Sequence, residues 1–265
     1  MENKIDNIEA DVSKYFNEGG WKDINGNTKD AILYDDLRNV AKEYVEKSRL
    51  RVLKHINYKG DCILDMASGP IQFKEYLEYS KNFNKRYCVD LSYDALEQAK
   101  KKIGDHGVYF NKSFFDTNFE KDFFDCCISL HTIYHIRKER QEEAVRKLIS
   151  VTKPGRKVII VYSNPFALDS ILSRIYKRVF KKDRERHDLY FYAYPLKWWR
   201  RFEDEAQIKM YPWRSFSATA QKVLFPDNKL GSKMFSALFL LEDKFPNFFV
   251  RFFQYPMVVL VKKNN

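Results

Sequence analysis

Leu64-Asp65-Met66-Ala67-Ser68-Gly69-Pro70, entered through Cys62-Ile63, is a short apolar run that ends on a carboxylate and passes into small residues. A strand that stops abruptly while its backbone approaches a ligand needs small side chains at the turn, and Ala67, Ser68 and Gly69 supply them. Asp65 either anchors this loop or receives an ammonium group through water. The stretch departs from a full glycine-rich fingerprint, since Ala67 and Ile71 stand at two positions where glycine is expected. Weight comes from a second run of the same form, Arg86-Tyr87-Cys88-Val89-Asp90, whose terminal acid falls 21 residues after Gly69. A nucleotide-binding sheet places an acid at that distance because a carboxylate accepts two hydrogen bonds from a ribose diol. The plainer alternative is that Asp90 only caps the next helix.

Working outward, Ser92 and Asp94 offer N-caps for a helix over Tyr93 to Ile103. Val108-Tyr109-Phe110 and Phe123 to Leu130 read as two further strands, and Arg137 to Val151 as a helix stopped by Lys153-Pro154-Gly155. Lys157 to Tyr162 is a fifth strand. Strands alternating with helices predict βαβ units and a parallel sheet covered on both faces. The expected fold is therefore α/β: a doubly wound, mostly parallel seven-stranded sheet with ligands bound beyond its carboxyl edge. Residues 1–58 read as a helical section covering that edge, 59–163 as the binding core, and 164–205 as an inserted basic and aromatic cap. Residues 206–265 complete the sheet with a strand over Gln207 to Ser215, a helix over Ser232 to Phe253 and a terminal strand from Pro256 to Lys262.

Composition narrows the class. The chain has 265 residues, 45% of them hydrophobic and 16% aromatic, which is ample for one large core. No apolar run approaches the roughly 18 to 20 residues of a membrane span. The first thirty residues lack an apolar leader core, so a cytoplasmic protein is expected. Cys62, Cys88, Cys126 and Cys127 all fall in strand-like runs and read as buried small hydrophobes, with no zinc-ligand spacing. No acidic pair suited to magnesium follows the fourth or fifth strand, so no metal is expected.

At this point the sequence resembles the class I, Rossmann-like S-adenosylmethionine-dependent methyltransferases, over roughly Gly60 to Asn164. Ile63 to Gly69 is similar to their first motif, Cys88 to Leu91 to the ribose-binding second, and Ser113 to Asp116 to the adenine-contacting third. Leu130-His131-Thr132-Ile133-Tyr134-His135 resembles the segment after the fourth strand. The resemblance implies S-adenosylmethionine as cofactor, with Asp65, Ala67, Ser68 and Gly69 around the methionine portion. It also implies Asp90 on the ribose, Leu91 against the adenine, Ser113, Phe114 or Asp116 at its amino edge, and Leu130 at the floor. Methyl transfer from a sulfonium is an in-line displacement that mainly needs alignment and exclusion of water. For a hydroxyl acceptor a base helps, and His131, His135 and Tyr134 lie where one would act. Each histidine has a scaffold role as its alternative.

The charge of +11 is unevenly spread: Ser170 to Arg201 carries ten Lys or Arg against three Asp or Glu. Arg184 and Arg186 beside Tyr190, Tyr192 and Trp198 combine charge with stacking surface. That pairing fits a small anionic acceptor such as a glycan or a phosphorylated or nucleotide-linked sugar, methylated on oxygen. RNA and an anionic membrane surface are the other partners such a block fits, and a solvated basic helix over an aromatic core is the plain alternative. Nucleic acid is disfavoured because His131-Thr132-Ile133-Tyr134 stands where an Asp/Asn-Pro-Pro-Tyr/Phe signature would. A non-catalytic protein of the same fold is the reading of a different class, kept open by the two missing glycines. NAD fits poorly, because its pyrophosphate needs glycine at Ile71. Trp21 and Tyr34 are placed to close over the site.

Overall fold

The computed structural model describes residues 6–24, 27–168, 170 and 189–264. Seven strands form one sheet: β3 (Gly60–Met66), β4 (Phe83–Asp90), β5 (Gly107–Asn111), β6 (Phe124–Leu130), β7 (Thr152–Val161), β8 (Ala206–Arg214) and β9 (Tyr255–Lys262). A separate two-stranded ladder pairs β1 (Asp23–Ile24) with β2 (Asn27–Thr28). The order across the sheet is β5-β4-β3-β6-β7-β9-β8. The first five neighbours pair in parallel, while β9 runs antiparallel to both β7 and β8. β8 therefore points the same way as the parallel strands, and β9 alone is reversed. The chain leaves the centre at β3, travels out to β5 and returns to β6, so the switch point lies between β3 and β6.

Both faces of the sheet are buried, which explains why its strands read as continuous apolar runs. Consecutive residues alternate between two cores: Leu64, Cys127, Ile160 and Val258 face one, and Ile63, Cys126, Ile159 and Val259 face the other. Against the first pack α6 (Gln141–Val151) and the 3-10 segment Leu196–Phe202, through Leu148, Trp199 and Phe202. Val52, Ile56 and Tyr79 cover the second, Tyr79 from the 3-10 turn that follows the short helix α4 (Lys74–Leu77). α5 (Tyr93–Ile103) buries Leu96 and Ala99 against Ile71 and Cys88, its N-terminus closed by the Ser92 hydroxyl accepting from the Ala95 N–H.

The N-terminal section is less uniformly helical than the sequence pattern predicts. α1 (Asp6–Tyr15) widens into a π turn at Phe16–Gly20, the β1–β2 ladder follows, and α2 (Lys29–Tyr34) and α3 (Asn39–Leu50) complete it. Lys153-Pro154-Gly155 does not form a turn before the strand: β7 already begins at Thr152, and the three residues are absorbed as an irregularity in its register with β6. Gly155 takes a φ of 72° there, a conformation that only glycine adopts cheaply. The long C-terminal helix divides in two, α8 (Lys229–Lys244) and α9 (Pro246–Phe252), following α7 (Ala218–Leu224). Pro246 has no N–H to continue α8 and sits instead at the first position of α9.

Candidate active site

The carboxyl ends of β3, β4 and β6 open onto a cavity of about 480 Å³. At the β3 turn, Ala67, Gly69 and Ile71 all have positive φ, of 56°, 54° and 49°. The left-handed geometry of a glycine-rich loop is thus present, although two of the three residues carry a Cβ. A side chain on Gly69 would meet the Trp21 ring at 3.0 Å, so glycine is needed there for packing as well as for φ. The Ser68 N–H donates to the Val89 carbonyl, tying the turn to β4.

Asp90, at the tip of β4, accepts from the Gly69 N–H through Oδ2 and from the Ser92 N–H through Oδ1, both at 2.8 Å. Burial pushes its pKa up to about 6, against the pull of those two N–H groups. Each carboxylate oxygen retains a second lone pair for a ligand hydroxyl. Asp65 lies below the turn and is claimed by the buried Arg86, whose Nε donates to its Oδ2 at 3.1 Å and whose Nη2 makes a second contact with the same oxygen. That pair ties β3 to β4 beneath the turn, and Asp65 also lines the cavity.

Leu91, Ser113 and Phe114 line the next part of the cavity. The Ser113 hydroxyl caps a short 3-10 turn by accepting from the Phe115 N–H. Asp116, at the end of that turn, is exposed and does not line the cavity. The roof comes from the N-terminal section: Val12, Phe16 and Trp21 line the cavity, with the Phe16 and Trp21 rings stacked at 4.7 Å. The roof is tied down where the Ser92 hydroxyl donates to Asn17 Oδ1 at 2.6 Å.

Beyond Leu130 the chain turns sharply. His131 sits at φ 58°, an uncommon conformation for a side chain of this size and one that tends to occur at functional positions. Its Nδ1 is 2.9 Å from the Tyr134 hydroxyl, and its ring lies edge-on to Trp213 and Tyr255 at 4.6 and 5.1 Å. Burial and the nearby Arg214 charge lower its pKa to about 3. His135 Nδ1 is 2.7 Å from the Tyr190 carbonyl. A carbonyl only accepts, so Nδ1 carries the proton; burial lowers the pKa to about 4 and leaves the ring neutral, with its lone pair on Nε2.

Trp213 and Arg214 end β8 and Tyr255 begins β9, which is how the direction of these two strands brings all three to the cavity. Arg214 is buried and pairs with Asp35, which also accepts from Arg49 at 3.1 Å. Burial pushes the Asp35 carboxyl up, but the two guanidinium groups outweigh it and hold the acid below its ordinary value. Asp30 also lines the cavity, where burial and the adjacent Asp35 push it to about 7. Trp213, Arg214 and Tyr255 carry no local motif; the strand directions place them, and Asp30 and Asp35 come from α2 and its C-terminal end.

The cavity thus gathers Asp65, Ala67, Ser68, Gly69, Asp90, Leu91, Ser113, Phe114, Leu130, His131, Tyr134 and His135 from the sequence reading, and Trp21 and Tyr34 with them. The residues expected to meet the acceptor are placed differently. Arg184 and Arg186 lie outside the described residues. Tyr190 and Tyr192 pin the loop after β6, Tyr190 through its carbonyl and Tyr192 by donating its N–H to the Tyr134 carbonyl at 2.7 Å. Trp198 is buried in the core, stacked on Tyr194. Among cap residues, Leu189 and Phe191 line the cavity instead. Among the described residues no cluster of His, Cys, Asp and Glu suits a metal, and no helix is long and apolar enough to cross a membrane.

A doubly wound sheet with one reversed strand, an acid at the tip of its second strand and a cavity over the strand ends is the architecture of the class I methyltransferase fold. Residues 64–160 match the family described as methyltransferase domain. Over those residues the chain is similar to the Rossmann-like domain of S-adenosylmethionine-dependent methyltransferases. Among curated proteins, the ubiquinone/menaquinone biosynthesis C-methyltransferase UbiE of Proteus mirabilis is 28% identical over 147 residues, covering 53% of this chain. The chain spans 55% of the length of that relative. A Burkholderia thailandensis 1,6-didemethyltoxoflavin-N1-methyltransferase, solved with 1,6-didemethyltoxoflavin and S-adenosylhomocysteine, shares the fold over 99% of this chain and 90% of its own, at TM-score 0.58 and 9% identity. A Haemonchus contortus phosphoethanolamine N-methyltransferase 2, solved with S-adenosyl-L-methionine, matches over 82% of this chain and 53% of its own, at TM-score 0.52 and 15% identity.

Proposed function

We propose that the protein transfers the methyl group of S-adenosylmethionine to a hydroxyl of a small, ring-bearing acceptor. The observation that carries this reading is a single cavity running from Asp90 to His131 and Tyr255. A volume of this order suits a nucleoside cofactor with a small partner. Asp90 accepts from the ribose hydroxyls, and the Ala67–Gly69 turn lets the methionine portion lie against backbone. Leu91, Ser113 and Phe114 bound the adenine. The cofactor supplies an electrophilic methyl group, and the protein aligns the acceptor and keeps water out. Trp21 fits this arrangement: its indole N–H is buried at the cavity without a partner among the described residues, so it is free to donate to the ligand.

The acceptor end is lined by Tyr34, His131, Phe191, Trp213 and Tyr255. These rings favour a planar acceptor, with His131 and His135 as neutral groups that hydrogen-bond its hydroxyl and take its proton. Arg214 is the cation of this end within the described lining, and Asp35 neutralises it. The anionic glycan or sugar-phosphate acceptor therefore rests on Arg184 and Arg186 alone.

Calorimetry tests the first half: S-adenosylmethionine and S-adenosylhomocysteine bind, NAD does not, and Asp90→Ala weakens binding. Tight NAD binding without any response to S-adenosylmethionine sinks the whole reading. Labelled methyl transfer to a panel of phenols, sugars, sugar phosphates and RNA tests the second half. Transfer only to sugar phosphates returns the acceptor to the cap arginines, and transfer only to RNA makes this an RNA methyltransferase. Cofactor binding with no transfer to any class favours a non-catalytic role.

A further inference from the structure

The outer face of the C-terminal helices is apolar and unpartnered. α8 turns Gly231, Phe235, Leu238 and Glu242 inward. Leu230, Met234 and Leu241 form a stripe on its outer side, which Phe245 continues past the helix end, and all four are exposed, Leu230 to 60%. The stripe spans about 24 Å, the length of a sixteen-residue helix. Val223 on α7, 78% exposed, and Phe248 on α9 are further exposed apolar residues of the C-terminal helices. A row of exposed apolar side chains along one helix is a candidate contact surface.

The helix is held rigidly in this orientation. The Asn228 side chain caps it by accepting from the Leu230 and Gly231 N–H groups at 2.9 and 3.3 Å. A Cβ on Gly231 would fall 1.9 Å from the Pro226 carbonyl oxygen, so the helix start lies hard against the preceding turn.

Charge around the stripe is mainly positive, with Asp227 just before α8 as an exposed acid. Lys229, Lys233 and Lys244 are exposed on α8, with Lys222 and Arg251 on the neighbouring helices. None of the five pairs with a carboxylate among the described residues. The acids of α8 are already neutralised: Arg51 bonds Glu242 at 2.6 Å, and Arg51 and Lys54 hold Asp243 at 2.9 and 3.0 Å. Lys244 Nζ lies 5.5 Å over the Phe245 ring, a stem along apolar surface with its charge at the rim.

We infer that this face docks on an anionic lipid surface, with the α8 stripe in the headgroup layer and the lysines on the phosphates. A second copy of this chain is the weaker occupant. A two-fold contact through this face would bring the α8 lysines of one copy against those of the other, and lysine is depleted at protein interfaces.

Flotation of the full chain with vesicles tests the inference. The wild type should float with phosphatidylcholine containing phosphatidylglycerol, not with phosphatidylcholine alone, and added salt should release it. Leu230→Ser, Met234→Ser and Leu241→Ser together should weaken binding roughly tenfold, with a thermal melt to show that the variant remains folded. Lys233→Glu with Lys244→Glu should weaken it by a similar factor. Absence of vesicle binding by the wild type overturns the inference, and so does full binding by the triple serine variant. A concentration-dependent dimer that the triple variant abolishes, with no vesicle binding, assigns the face to a second copy instead.

Discussion

The Gly69 N–H donates to Asp90 Oδ2 at 2.8 Å, so the turn after the first core strand is held by the acid at the tip of the second. One carboxylate both shapes the loop and lines the cavity, so on the proposed function loop geometry and cofactor affinity would depend on the same ionisation.

Burial raises the Asp90 pKa from 3.8 to about 6 in the free protein. Ribose hydroxyls donate to the ionised form, so cofactor binding favours ionisation. The dissociation constant for S-adenosylhomocysteine should fall as pH rises from 5 toward 7 and level off above. Asp90→Asn should flatten that dependence and weaken binding at pH 7.5, by about 1.5 to 3 kcal/mol for lost charge-assisted hydrogen bonds. Titration calorimetry at three pH values decides it; the same slope in the Asn variant would sink the assignment.

Ala67 and Ile71 both sit in left-handed conformations, but their surroundings differ. A residue with a Cβ pays roughly 1 to 2 kcal/mol there, and glycine's extra freedom in the unfolded chain returns about 0.5 to 1 of that. Ala67→Gly should therefore stabilise the protein by about 0.5 to 1 kcal/mol. Ile71 is fully buried against Cys88, Leu96 and Ala99. Ile71→Gly should destabilise by about 2 to 4 kcal/mol, because the lost packing exceeds the relieved strain. Urea unfolding of the two variants should move the midpoint in opposite directions.

The core of the site was legible because its signals are local. Strand, small-residue turn and second-strand acid each occupy a few consecutive residues, and Asp65, Gly69, Asp90 and Leu91 come together at the cavity. The acceptor side was not, because it depends on strand direction. Trp213, Arg214 and Tyr255 reach the cavity only because β8 runs with the parallel strands and β9 against them, and residue types do not state direction. An aromatic run such as Tyr190 to Trp199 reads alike whether it stacks on a ligand or fills a core. Here Trp198 and Trp199 are buried in the core, and Phe191 faces the cavity.

His135 holds its Nδ1 proton on the Tyr190 carbonyl and keeps its Nε2 lone pair, whereas Nδ1 of His131 is engaged with the Tyr134 hydroxyl. Both histidines line the cavity. His131→Ala should leave cofactor affinity nearly unchanged and lower turnover at least about tenfold, some 1.4 kcal/mol in the barrier. His135→Gln should lower turnover while also loosening the Tyr190 strap, which limited proteolysis after residue 189 would report. Depressed histidine pKa values also make the fold acid-labile. The unfolded histidine titrates near 6.5 and folded His135 near 4, so its share of stability is present above pH 6.5 and is lost as pH falls toward 4. Denaturant midpoints of the wild type should drop across that window more steeply than those of His135→Gln.

Arg214 and Asp35 set the charge state of His131 from opposite directions. Burial is the largest cause of its low pKa, the Arg214 guanidinium lowers it further, and the Asp35 carboxylate raises it. Removing the cation should therefore let the imidazole titrate higher, and removing the acid should push it lower still. Arg214→Gln leaves Asp35 with Arg49 as its partner, so the acid stays ionised and continues to favour protonated His131. Arg214→Lys keeps the charge and separates electrostatics from packing: its His131 pKa should stay near the wild-type value. Histidine ring resonances followed by NMR across the acid range give the answer directly. An unchanged His131 titration in Arg214→Gln, with the fold intact by its melt, would show that burial alone keeps this imidazole neutral.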